Sequence, residues 1–436
     1  MTRSFSDYGI TGPDAAADGA LDAMLADPGT NRIVAECDLR FDRRHVIHRG
    51  GVTLDFGGYT VTAPQIEDAP PDDPFSAVLY FAGQRTAGPA HTLAQPHREM
   101  SDIFEVTDAS FFQLHAWYTV WVESVGEREE KEIDKLLQVT EIVDGTHVRF
   151  NYKMGWPLTA GRVLHFDPTT PVQDVAVQNM VFKGNPEYPD DDAMREKKGA
   201  SPVCFTHAVN CNVRGITAYY VYWPVVLRRH NTFYTTTDCR LINPVEVVVG
   251  GTGYLTQQIH CLYGQVQHCQ TSRARHLNDF TGSAYCRVEN CHADGDYHGG
   301  FVTHGQFEHD LSYAGNSGIL SFANSGPTWG ESAKRISVRR HLGSWVIAHN
   351  KISDLTLEDV EAVFDPAYPQ CGTFLLNADG VQLRGCVAEN GAYFTQRSAR
   401  SKRPNVVDGC SFGEGREVRI EDEGERRVTS RILFRD

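Results

Sequence analysis

Arg275, His276, Asp279, Asp296, His298 and His304 are the residues whose types and spacing best suit chemistry in this chain. They sit in two polar loops that follow short apolar-alternating runs, VQHC at 266–269 and VENC at 288–291. Eleven of the 18 histidines fall between His207 and His349. His276 and His298 are 22 residues apart, the same interval that separates Cys269 from Cys291. If that interval is one coil of a repeat, the two imidazoles lie on neighbouring layers of one face, about 4.8 Å apart. Arg275 and Asp296 then stand beside them, and Asp279 and His304 slightly further along their own coils.

Two chemistries fit this set. In a polysaccharide lyase, an imidazole removes the proton next to a uronate carboxylate while Arg275 neutralises that carboxylate. In a glycoside hydrolase, two carboxylates flank the scissile bond, and Asp279, Asp294, Asp296 and Glu308 are the candidates. The residues do not choose between them. His298 is the first choice for a base and Asp296 or Asp279 for an acid or second carboxylate, with His276 a further catalytic candidate. Arg275, His304, Glu308 and Trp329 are the candidate substrate contacts, and the 324–331 loop is expected to close one side. No metal is expected, because His304 and His309, five apart on extended chain, point to different faces. No cofactor is expected either. The same polar crowd can also stabilise stacked coils without any reaction.

The elements that must position these residues form a repeat. The patterns VAVQNM, CNVRGI, YTTTDC, VQHC, CRVENC, ISVRR, LTLEDV, VQLRGC and VVDGC share one frame. Alternation of two with β-branched residues is strand chemistry. The Asn, Asp, His or Gly before the anchor tolerates left-handed backbone. From Met180 through Ile216, Cys239 and Cys269 to Cys291 the anchors step by 36, 23, 30 and 22 residues, and from Val360 through Cys386 to Cys410 by 26 and 24. A less clear coil is expected around 311–313 and a further coil at 336–338. Single-anchor repeats of this length describe a solenoid rather than a sandwich. The fold class read here is all-β: a right-handed parallel β-helix with an N-terminal cap helix and a small β-rich insertion domain.

The opening FSDYGITGPDAAADGALDAML, together with GGTGYL, YGQVQHC, ARHLNDFTG and FVTHGQFEHDL, resembles the pectate-lyase-like β-helix superfamily, particularly spike and appendage proteins of tailed phages. The resemblance covers most of the chain. It implies a particle component, commonly a homotrimer attached through other particle proteins, that meets a cell-surface polysaccharide. It leaves the chemistry open, because this scaffold hosts lyases, hydrolases, epimerases and binders without activity.

Composition narrows the choice. The net charge of −15 argues against a nucleic-acid partner, which needs a basic footprint. No apolar run is long enough to span a bilayer, so membrane insertion is not expected. The start MTRSFSDYGITGP lacks a signal-peptide hydrophobic region, which favours a virion or phage-like particle over a secreted enzyme. Several of the 11 cysteines recur at one coil position and suit a ladder of buried thiols, not disulfides.

Along the chain, residues 1–62 read as the cap and first coils. Residues 63–171 lose the frame and read as the insertion domain, with a turn at Asp144-Gly145. Its aromatics Phe111, Phe112, Trp117, Tyr118 and Trp121 suit a core or a sugar platform. Residues 172–415 read as the main helix, and 416–436 as a polar, strand-like tail suited to packing between subunits. Three functions remain open: a spike or appendage subunit that binds and in some versions depolymerises a cell-surface polysaccharide, a free polysaccharide lyase or glycoside hydrolase, and a structural particle component with no glycan site.

Overall fold

A computed structural model describes residues 1–66, 76–125, 131–186, 199–294, 298–324, 332–349, 352–368, 371–396, 401–413, 419–422 and 432–435. The chain winds into a parallel β-helix with three faces. On the first face, Val177, Val213, Thr236, Val266, Val288, Tyr313, Val338, Leu357, Leu383 and Val407 pair one to the next in parallel register, giving ten successive rungs. Ile33 and Leu54 precede this column, with Leu54 paired directly to Val177. The central residue of each strand turns inward, and Val177, Val213, Val266, Val288, Val338, Leu357 and Leu383 are fully buried.

The corner after this face is left-handed, as the turn chemistry required. Asn179, Gly215, Asp238, His268 and Asn290 have φ of 56°, 65°, 55°, 54° and 53°. The anchor residues follow, and their register reproduces the expected steps: Val181 pairs with Thr217, Thr217 with Arg240, Arg240 with Gln270, and Gln270 with His292. All eleven cysteines are free thiols. Those in the column act as small apolar groups that still hydrogen-bond: the Cys269 N–H donates to Cys291 Sγ at 3.4 Å and the Cys386 N–H to Cys410 Sγ at 3.4 Å.

The coils expected at 311–313 and 336–338 are resolved by register. Ser317 bridges His292 on one side and Leu342 on the other, so Asn316 and His341 occupy the anchor column between Cys291 and Val360. Asn316 is buried and fully engaged. Its Oδ1 accepts from the Cys291 N–H at 2.8 Å, and its Nδ2 donates to the Val288 carbonyl at 2.9 Å.

The open N-terminal end is closed by the helix Asp18–Ala26, which buries Ala20, Leu21 and Met24 against Phe5 and Phe41. Arg49 satisfies the carbonyls this helix end leaves unpaired, donating to those of Met24, Leu25 and Asp27. Among the described residues no helix is long and apolar enough to cross a membrane.

The solenoid is interrupted by an antiparallel domain with strands Gln84–Arg85, Ala90–Thr92, Ile103–Glu105, Trp117–Val122, Asp134–Asp144, His147–Phe150 and Val163–Thr170. It starts later than the expected residue 63. The strand Ala77–Ala82 pairs in parallel with His45–Ile47 and with the strand starting at Ser201, so it belongs to the third face of the helix. Its run AVLYFA is buried on both sides and therefore shows no alternation to reveal it. Phe104, Phe112, Tyr118, Phe150 and Phe166 form the inserted domain's core. Phe111 stays 40% exposed. Trp121 has its faces taken by the stacked His165 ring at 3.8 Å and by the Lys131 ammonium at 4.4 Å.

Residues 419–422 pair in parallel with 393–396, and 432–435 with 405–408, so the described part of the tail continues the rungs. Residues 187–198, Asp190–Asp192 among them, lie outside the described residues.

Asn316→Ala removes the side-chain oxygen that accepts the buried Cys291 N–H. A buried amide left unpaired costs about 1–3 kcal/mol. The unfolding midpoint in urea should fall accordingly, and an unchanged midpoint would show that this column is not under polar control.

Candidate functional site

The candidate residues gather around the third face at the strands His276–Thr281 and Phe301–Thr303. Here the coil step is 23 residues, since Asn278 pairs with Phe301. On the second face of the same two coils it is 22, since Thr271 pairs with Ala293. The extra residue lies in the intervening turn. The expected stacking of His276 on His298 is therefore corrected: His276 comes level with Gly299, and His298 with Arg275.

The side chains then separate by environment. His276 is buried, with Nδ1 2.5 Å from the Gly299 carbonyl oxygen and its ring 4.5 Å from that of Tyr254. Burial pushes its pKa down to about 3, so it does not present itself as a base to a ligand. Arg275 donates through Nη1 to the carbonyls of Val247 and Val248 at 2.8 and 2.7 Å, tying down the preceding loop instead of lying open for a carboxylate. Glu308 is also buried. Its carboxyl accepts from the backbone N–H groups of Gly282, His304 and Gly305 at 3.0, 3.3 and 2.9 Å, and burial raises its pKa. It shapes the turn at 304–308 and is withdrawn from substrate contact. His298 is exposed, and its pKa is lowered by partial burial and by Arg275. Asp294 is exposed. Asp296 and Trp329 lie outside the described residues, as do Tyr297 and Glu331.

Asp279 and His304 are brought together. His304 Nε2 stands 3.0 Å and 3.1 Å from the two carboxylate oxygens, and Gln257 Nε2 donates to Oδ2 at 3.3 Å. The Asp279 side chain is 0% exposed and that of His304 22%. Burial pushes the Asp279 carboxyl up, but the charge and hydrogen bond of His304, with His276 and Gln257, outweigh it and hold the group below its ordinary value. A buried carboxylate behind a partly exposed imidazole fixes the ring's orientation. That arrangement can transfer a proton or bind a hydroxyl. Among the described residues no group of three or more His, Cys, Asp or Glu could hold a metal ion.

A second histidine set was not read as a unit from the sequence. His207, His230 and His260 occupy one left-handed corner, with ring centroids 4.8 and 5.2 Å apart. Asp134 of the inserted domain meets His230 Nε2 at 2.8 Å and His260 Nε2 at 3.9 Å. Lys135 beside it donates to the Gly282 carbonyl. The signal was in the spacing. These histidines are 23 and 30 residues apart, the same steps that separate Ile216, Cys239 and Cys269.

No family model matches the chain, and no curated protein matches it. Solved structures do. The chain is similar to the tailspike gp61 of Pseudomonas phage phi297, at 13% identity over 97% of this chain and 78% of that one, with a TM-score of 0.60. It is similar to the tailspike gp49 of Pseudomonas phage LKA1, at 14% identity over 99% and 78%, also with a TM-score of 0.60. It matches the A-module of the Azotobacter vinelandii mannuronan C-5 epimerase AlgE4 at 10% identity over 98% and 99%, with a TM-score of 0.51. These likenesses, with the parallel register described above, give the chain the fold of an all-β, right-handed parallel β-helix.

His207, His260 and His276 are each pushed down to about 3, chiefly by burial. The unfolded rings take protons below about pH 6.5, while the folded rings do so only near 3. Between those values the unfolded chain binds more protons, so stability falls as pH drops through the window. Asp279, with its lowered pKa, keeps its contribution until still lower pH. The urea midpoint should fall steadily between about pH 6.5 and pH 4, and a flat midpoint there would contradict these buried neutral imidazoles.

Proposed function

We propose that this chain is a subunit of a phage-type spike or appendage that binds a cell-surface polysaccharide at the Asp279–His304 edge of the third face. The observation that carries the reading is a partly exposed imidazole held by a fully buried carboxylate. The fold neighbours support it: two are described as tailspikes, and a third acts on mannuronan, a polysaccharide. His298, exposed and level with Arg275 at the other end of the strand Phe301–Thr303, is a second polar contact in this reading. Localisation in a virion or phage-like particle and assembly as a homotrimer with other particle proteins belong to this reading.

In a version that also cleaves, His304 moves ahead of His298 as the group that transfers a proton, with Asp279 orienting it. Asp279 is then a positioning carboxylate and not an acid delivered to the glycosidic oxygen, because its side chain is fully buried behind the His304 ring. That geometry favours proton abstraction over the paired free carboxylates a hydrolase needs.

The test is direct. His304→Ala should lower cleavage of host capsular polysaccharide about 10²–10⁴-fold, the usual size of a general acid–base contribution. Cleavage is followed by new reducing ends and by absorbance of unsaturated uronates. If no cleavage occurs in the parent protein, the same change should weaken polysaccharide binding. Full binding retained in both His304→Ala and Asp279→Asn would place the site elsewhere, and no binding by the parent protein would favour a structural component. Light scattering should give the mass of three chains; a stable monomer at about micromolar concentration contradicts the assembly.

A further inference from the structure

The inserted domain carries an open cleft of about 220 Å³. Six of its nine lining residues are apolar: Pro89, Ala90, Val106, Phe111, Phe112 and Phe166. The volume is below the range of sites for drug-sized ligands, so the occupant is small.

The local chain explains the shape. Asp108 caps the short turn Ala109–Phe111, its Oδ1 accepting from the Ser110 N–H at 2.9 Å. Phe112, next in the chain, turns into the core, where its ring meets that of Phe166 at 5.3 Å and 87°. Phe111 stays at the surface, 40% exposed, with its ring 5.4 Å from that of Phe112. Val106, Phe112 and Phe166 are buried and make the floor, while Ala90, Thr107, Asp108 and Phe111 are exposed and make the mouth.

Floor and mouth select different chemistry. The three floor side chains hold no polar group, so a hydroxyl pressed against them is left without a partner. A methyl group is favoured there. The mouth offers acceptors instead. The Asp108 carboxylate can only accept. Thr107 Oγ1 stands 3.0 Å from His91 Nδ1, and His91 Nε2 stands 3.2 Å from Glu105 Oε1. A proton on Nε2 faces the Glu105 carboxylate, so Nδ1 accepts from the Thr107 hydroxyl and the threonine oxygen is left to accept from a ligand. A methyl tip beside an N–H donor satisfies both floor and mouth, and an acetamido group has that form.

We propose that this cleft binds an N-acetylated amino sugar, with the acetamido methyl on Val106, Phe112 and Phe166, the amide N–H donating to Asp108, and the C–H surface of the ring against Phe111. Thr107 accepts from a ring hydroxyl. A few placed polar groups on an apolar lining orient a small ligand. The site belongs to the inserted domain alone and does not depend on the function proposed above for the third face.

Saturation-transfer NMR on the full chain with the methyl β-glycosides of N-acetylglucosamine and N-acetylgalactosamine tests it. At least one should receive saturation, most strongly on the acetamido methyl. Methyl β-D-glucoside, which has a hydroxyl in place of the acetamido group, should bind about tenfold more weakly. Phe111→Ala should weaken binding about tenfold, the size of one buried apolar contact. Asp108→Asn keeps a cap for Ser110 but replaces the free acceptor by an amide, and should weaken binding about threefold. It decides the matter if Phe111→Ala lowers the melting temperature. His304→Ala should leave binding unchanged, so that failure of this site and failure of the third-face site are read separately. No saturation of either acetamido glycoside overturns the proposal. So does equally tight binding of the glucoside, saturation that misses the acetamido methyl, or undiminished binding in either cleft variant. Loss of binding in His304→Ala would put the sugar on the third face and overturn it too.

Discussion

Everything in this molecule depends on an unbroken parallel hydrogen-bond register between successive rungs. Because each strand pairs with the one before and the one after, a residue's neighbours are its equivalents one coil away. The interior is narrow, and that makes the columns chemically uniform. A thiol suits the position because it is small and apolar yet accepts the rung-to-rung N–H of Cys269 or Cys386. Larger groups demand compensation from the adjacent rung. Tyr234 fills the core opposite Gly264, where a Cβ would come within 1.9 Å of its ring. Arg228, fully buried, is tolerated because the carbonyls of Cys211 and Thr235 and the oxygens of Asn231 and Thr236 accept from it while Phe205 and Tyr234 cover its faces. A buried guanidinium without these partners would be strongly destabilising.

The same register explains how a whole domain is accommodated. Ala82 pairs with Thr206 and Val172 with Ala208. Residues 83–171 thus take the place that His207 alone holds in the next coil. A left-handed corner directs its side chain away from the core, so chain can leave and return there without breaking a rung. Gly83 makes the exit, because a Cβ there would lie 2.3 Å from the His207 carbonyl oxygen. The excursion is then clamped back onto the rungs. Phe233, Tyr263 and Tyr285 stack along one column at 5.2 and 5.5 Å, and the two tyrosine hydroxyls donate to the carbonyls of Asn151 and Lys153. Tyr152 meets His309 Nε2 at 2.7 Å, and Lys334 and Arg335 both reach Glu99.

How far the sequence discloses this structure follows from how each residue meets the register. The cysteine column is legible because thiols recur where period-two strands end. Asn316 and His341 occupy the same column but look like surface residues; only the carbonyls and amides of neighbouring rungs, invisible in sequence, make them internal. The register of the candidate residues is legible to within one residue: Asp279 and His304 fall on adjacent coils, but counting by the cysteine interval sets His276 against His298 instead of Gly299. Coil lengths differ between faces of the same turn, 22 on the second and 23 on the third, and side-chain alternation is lost whenever one residue is added. Glu308 and Arg275 carry the residue types of a binding site and are spent on backbone groups instead. Nothing in their identity distinguishes a carboxylate facing a ligand from one facing three N–H groups.

The inserted domain and the Asp279–His304 pair are joined by a short chain of contacts. Asp134 engages the histidine corner, and the adjacent Lys135 donates to the carbonyl of Gly282. The N–H of Gly282 donates to Glu308, and Glu308 accepts from the N–H groups of His304 and Gly305. The backbone that aims the imidazole is thus fixed by a buried carboxyl whose own position is fixed from the inserted domain. Lys135 is itself fully enclosed and its pKa is pushed down to about 8 by burial. It nevertheless sits between two acidic groups, Asp134 and Glu308, whose charge favours its protonated form. A buried ammonium is retained only where such partners surround it, and here they surround it at the one place where the solenoid, the inserted domain and the candidate site meet. The inserted domain is therefore not a passenger on the solenoid: its strand Asp134–Asp144 supplies the charge that holds the turn behind His304.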